Sequence, residues 1–122
     1  MTTRTTNPAA VDGNTTLAAL AHASALVASL LGPILFLLVA EDDLVRRNAK
    51  NALNFQIVVF AVLLVSMVAT TVLTFLLAGL GAVAGFVLVP LVGLVDLVLV
   101  LIATVKANGG QVYAYPFTPD IV

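Results

Sequence analysis

Asp96 is the sole charged side chain between residues 52 and 105. A carboxyl at the centre of a bilayer costs roughly 2.5–3.5 kcal/mol on insertion scales, and such groups face a bundle interior or a water-filled cavity. Two chemistries follow. A water-accessible Asp96 would carry ions or protons. A desolvated one would be neutral, because burial raises a carboxyl pKa, and would bond a neighbour and hold helices together. Val89, Val92, Gly93, Leu99, Val100 and Ala103 share its helical face and bring no second ionisable group. That favours the bonded acid, with the hydroxyls of Ser29, Ser66 and Thr70 as expected partners at similar depth.

The other polar candidates are few. His22 is the only histidine and cysteine is absent, so one chain cannot build a multi-histidine or thiolate metal site. A polar packing role is expected for His22. The amides of Asn54 and Gln56 sit in the first turns of an apolar run, where lipid cannot satisfy them. Arg46, Arg47 and Lys50 recur at helical spacing behind Glu41, Asp42 and Asp43. They could meet anionic headgroups at about 1 kcal/mol each, although the three acids dilute the patch. There is no nucleophile beside a base, no carboxylate cluster, no P-loop and no GxGxxG. The expectation is a protein that is not an enzyme and needs no cofactor and no metal.

The elements that must position these groups are membrane helices. The 122 residues have a mean hydropathy of +1.17, 9% charged residues and a net charge of −1. That composition excludes a soluble catalytic domain and gives no basic face for nucleic acid. A bilayer core needs about 20 apolar residues as a helix. The pattern predicts an all-α integral membrane protein with three transmembrane helices, at about 17–39, 52–77 and 86–105. Gly32-Pro33 should kink the first span, and Thr15 or Thr16 should cap it. Asp42 or Asp43 should cap an amphipathic extension running into the second span. Residues 78–85, AGLGAVAG, read as a turn, which leaves Gly81 and Gly85 weak evidence of helix packing. Asn108-Gly109-Gly110 should end the third span.

Residues 1–16 read as a disordered tail, 17–117 as one transmembrane domain and 118–122 as a short tail. A secretory signal is not expected, since Arg4 lies far from an apolar run that is too long for one. Tyr113, Tyr115 and Phe117 alternate and read as an interfacial aromatic anchor. The same segment is expected to fold back onto the start of the second span and satisfy Asn54 and Gln56. Arg46, Arg47, Lys50 and Lys106 lie on one side of a three-span path, which places the loop and C-terminus in the cytoplasm and the N-terminus outside the cell membrane.

Two passages carry a resemblance. Ala49, Lys50, Ala52, Leu53, Asn54, Phe55 and Gln56 form an A-K-x-A-L-N-F-Q pattern behind an acid. Lys106, Ala107, Gly110, Tyr113, Tyr115 and Pro116 form K-A-x-x-G-x-x-Y-x-Y-P. With His22 they resemble small prokaryotic membrane proteins catalogued as a domain of unknown function and related to the chloroplast import component Tic-twenty. Asn48 departs from that pattern, which often has His there, and Asp96 is not part of it. The resemblance implies a three- or four-helix membrane domain and, by analogy, a part in protein translocation.

The reading is a non-enzymatic scaffold or subunit of a membrane complex. Its partners would be the lipid bilayer and either further copies or other membrane proteins. The alternative is a small oligomeric ion or solute channel or transporter that uses Asp96.

Overall fold

The computed structural model describes residues 13–77 and 79–122. The expected tail at residues 1–12, with Arg4, lies outside them. The described residues form four helices and no strand: α1 (Thr15–Ala28), α2 (Leu31–Val39), α3 (Asp43–Leu76) and α4 (Leu80–Asn108).

The first apolar run is not one kinked span. It breaks at Ser29, which takes φ 51, and α2 starts two residues later. Pro33 supplies the reason. It has no N–H and crowds the carbonyl four residues earlier, which belongs to Ser29. In α2, Pro33 falls in the first turn, where a missing N–H costs nothing. Gly32 lets α2 fold back against α1, since a Cβ there would overlap Ser24. At about 1.5 Å per residue, α1 is about 21 Å long and α2 shorter, and neither crosses a hydrocarbon core of about 30 Å.

The two helices are a hairpin. Ala18 and Ala19 pack with Leu44, Val45 and Ala107, whereas Ala25 packs with Phe55, Val100 and Ala103. Helix α1 therefore runs alongside α3 and opposite to α4. The start of α1 is pinned to the start of α3. Asn14 caps α1 by accepting from Leu17 N–H at 2.9 Å, in place of the expected Thr15 or Thr16. Asp42 caps α3 by accepting from Val45 N–H at 2.9 Å, as the acid-first loop predicts, and its other oxygen accepts from Asn14 N–H at 3.0 Å. Asn14 and the 41–51 loop thus lie at one end of the bundle. That corrects the three-span path, in which they lie at opposite ends.

Among the described residues, only α3 and α4 are long and apolar enough to cross a membrane. The expected amphipathic extension is continuous with the second span in α3. Helix α4 begins at Leu80, so most of the expected 78–85 turn is helix and Pro90 lies well inside it. The connection shrinks to the residues around Gly79, whose φ of 94 suits glycine. Gly81 and Gly85 are buried, and a Cβ on either would collide with the Thr70–Thr74 turn of α3. These glycines set close helix contact, as small residues do in membranes. The buried core sits at the other end, where α1 joins the pair. Toward the Gly79 end, α3 and α4 expose Val65, Met67, Phe75 and Phe86.

Candidate functional site

The polar residues converge where the segment after α4 returns to the bundle. Helix α4 ends at Asn108, Gly110 takes φ 89, and residues 111–115 run back along α3 as a strap. Three asparagines on one face of α3, at steps of three, hold it. Asn48 donates to Gln111 C=O at 3.0 Å and accepts from Tyr113 N–H at 3.2 Å. Asn51 donates to Tyr113 C=O at 2.8 Å. Asn54 accepts from Ile121 N–H at 3.2 Å and Val122 N–H at 2.8 Å. Every one of these bonds goes to the backbone of the segment after α4.

His22 locks the arrangement from α1. It is fully buried, with Nε2 2.7 Å from Asn48 Oδ1 and Nδ1 2.7 Å from the Tyr115 hydroxyl. The roles are fixed by the neighbours. Tyr113 N–H can only donate, so the Asn48 atom it meets is the oxygen, and both Asn48 amide hydrogens go to Leu44 C=O and Gln111 C=O. His22 Nε2–H therefore donates to Asn48, and its bare Nδ1 accepts from Tyr115 O–H. Burial lowers the His22 pKa to about 4, against a smaller opposing effect of the Asn48 bond, so the ring is neutral. Burial likewise raises the Tyr113 and Tyr115 hydroxyls above their ordinary value. Tyr115 stacks on Phe55 at 4.1 Å between centroids and meets Tyr113 edge-on at 5.0 Å.

The segment folds back onto α3 as expected, but Tyr113 bonds Asn48 and Asn51, Asn54 bonds Ile121 and Val122 instead of residues 113–116, and Gln56 Nε2 donates to Asp96 Oδ1 at 2.8 Å. Asp96 thus bonds an amide of α3 and not the expected hydroxyls of Ser29, Ser66 or Thr70. The aromatic anchor is corrected too. Tyr113 and Tyr115 are buried core, and only Phe117 is exposed, because strap residues face inward toward His22. The supposed short tail holds a buried Thr118 as well as the Asn54 contacts.

Among the remaining motif residues, Ala49 and Leu53 are buried packing, whereas Lys106 and Pro116 are exposed and Gly110 and Lys50 are partly exposed. Arg46 pairs with Asp43 at 3.0 Å and Arg47 with the same carboxylate at 3.8 Å. Arg47 Nη1 is buried without a hydrogen-bond partner among the described residues. Asn48 and Asn51 were missed as functional positions. Their spacing with Asn54 is the signal that could have found them. Among the described residues, no three His, Cys, Asp or Glu side chains gather to hold a metal.

A groove of about 430 Å³ opens between α3 and α4 above the strap, lined by Val59, Val62, Val92, Val95, Asp96 and Phe117 among others. Apart from Asp96, its lining is apolar.

A family model matches residues 13–122, and its family is described as the magnetosome magnetite crystal formation proteins, MamF/MmsF. The chain belongs to the MamF/MmsF family. The matched stretch includes both passages behind the resemblance to the Tic-twenty-related group, which is thereby corrected: those residues belong to a MamF/MmsF chain. No curated protein and no solved structure matches. Family and apolar helices together make this a membrane protein.

Proposed function

We propose that this MamF/MmsF-family chain is a non-enzymatic scaffold of a membrane assembly, in the setting of magnetite crystal formation that its family name describes. One observation carries the reading. His22, Asn48, Asn51, Asn54, Gln56 and Asp96 bond one another or the strap, while the long α3–α4 hairpin turns an apolar surface outward. Side chains used this way rigidify a body that neighbours can dock on. The α1–α2 hairpin enters the membrane and returns, so the starts of α1 and α3 and the strap share one side. Arg46, Arg47, Lys50 and Lys106 make that side cytoplasmic.

A transporter would need a chain of ionisable groups around Asp96. The groove that Asp96 lines contains no second one, which supports the scaffold over the channel. The test is deletion in the native cell, with magnetite crystals counted and sized by electron microscopy and the native complex isolated in mild detergent. Altered crystals and a stable complex are expected. Unchanged crystals, or an Asp96-dependent proton or ion flux in liposomes, would overturn the reading.

A further inference from the structure

Helices α1 and α2 carry no charged residue between them. Val27 of α1 and Leu31, Leu35, Leu38 and Val39 of α2 are exposed. In a membrane protein, an uncharged apolar face of this kind belongs in the bilayer. Helix α4 sets its depth. The apolar run of α4 ends at Lys106, a residue type that marks the headgroup boundary. One position later, Ala107 packs with Ala18 and Ala19 of α1, and Ala40, just past α2, joins the same cluster. Deeper in α4, Val100 and Ala103 pack with Ala25. The hairpin thus starts and ends at the boundary. From Ala18 to its end at Ala28, α1 runs ten residues, about 15 Å, which is half of a hydrocarbon core of about 30 Å.

That depth gives the molecule a taper. All four helices share the leaflet next to Lys106. Of the described helices, α3 and α4 continue to the Gly79 end. Each helix is about 10–12 Å across with its side chains, so the cross-section in the first leaflet is roughly twice that in the second. A flat bilayer offers equal area in both leaflets. A tapered body fits best with its wide end in a stretched leaflet, which is the convex face of a curved membrane. Shallow apolar helices are curvature-sensitive for the same reason.

We infer that the α1–α2 hairpin is a one-leaflet wedge that directs the protein to strongly curved membranes, with the hairpin in the convex leaflet. Its ligand is a lipid surface, recognised by shape. Gly32 keeps the wedge compact by seating α2 against Ser24 of α1. The wedge rests on the half-inserted hairpin of the proposed topology and not on the partners of the scaffold.

The test is reconstitution of the purified chain into phospholipid vesicles of mixed diameter. The sequence has no cysteine, so one introduced thiol reports one side. Pro119→Cys, labelled from outside with an impermeant dye, reports chains whose hairpin lies in the outer, convex leaflet. Its density per lipid should be about threefold higher in vesicles about 40 nm across than in those about 400 nm across. Ala82→Cys, labelled the same way, reports inverted chains, and its density should fall in the small vesicles. Leu35→Glu with Leu38→Glu should lift α2 out of the leaflet, keep the melting temperature and lose the size dependence. A density independent of size, the same trend for both labels, or a full preference in the double Glu variant would overturn the wedge. So would a fluorophore on Leu35→Cys that spin-labelled lipid does not quench, since protein would then cover the face. Thr3→Cys and Pro119→Cys on opposite sides would remove the hairpin itself. Shared sidedness without a size preference would sink the wedge and leave the topology and the scaffold standing.

Discussion

At His22 the two ring nitrogens face a donor and an acceptor that cannot trade roles. His22→Ala would remove one buried hydrogen bond from Tyr115 O–H and one from Asn48 Oδ1. With each lost buried hydrogen bond costing about 1–3 kcal/mol, the variant should lose about 2–6 kcal/mol by thermal or denaturant melting in detergent. The same site fixes a pH dependence. The ring titrates near its ordinary 6.5 when unfolded and at about 4 when folded. The unfolded state then binds more protons between those values, so stability is full above pH 6.5 and falls as pH drops toward 4. The slope should be about 1.4 kcal/mol per pH unit, and a His22→Gln chain melted at pH 7.5 and 5 should lack it. At Asp96, an Asn replacement can still accept from Gln56 and should preserve assembly. Asp96→Leu orphans the Gln56 amide and should cost about 1–3 kcal/mol, read as lost complex on native gels.

Sequence made some elements plain and others opaque, and the difference is physical. Helix α3 was legible because an acid cap, basic spacing and a long apolar run all point to one continuous helix. The strap's return was legible in part, since buried amides demand partners. The break at Ser29 was not. A proline after glycine inside a 23-residue, largely apolar run is consistent with a kink in lipid or a reversal, and periodicity cannot separate them. What decides is the room at Gly32 beside Ser24, a tertiary fact. Gln56 and Asp96 were each singled out but not paired, because 40 residues of sequence and the turn register between α3 and α4 separate them. Gly32→Leu should therefore push α2 off α1 and increase proteolysis between residues 29 and 42. Gly85→Leu should instead splay the far ends of α3 and α4, while strap and His22 network survive. Equal damage from both at the strap would contradict this division.

Across the whole molecule the α1–α2 hairpin decides which ends meet. In sealed native membrane vesicles, Thr3→Cys and Pro119→Cys should react alike with an impermeant thiol reagent, and Ala82→Cys oppositely. Opposite reactivity of Thr3→Cys and Pro119→Cys would restore three spans. The strap carries a further consequence, one of timing. Residues 111–115 are translated after all four helices, yet they supply the partners of Asn48, Asn51 and His22. Until the ribosome has delivered them, the inserted helices hold these side chains without the partners that the strap supplies, and bonds such as His22 to Asn48 and Asn48 to Leu44 must serve alone. Membrane insertion and completion of the core are thus separate events. The interval between them is when a quality-control protease can tell a finished chain from an interrupted one.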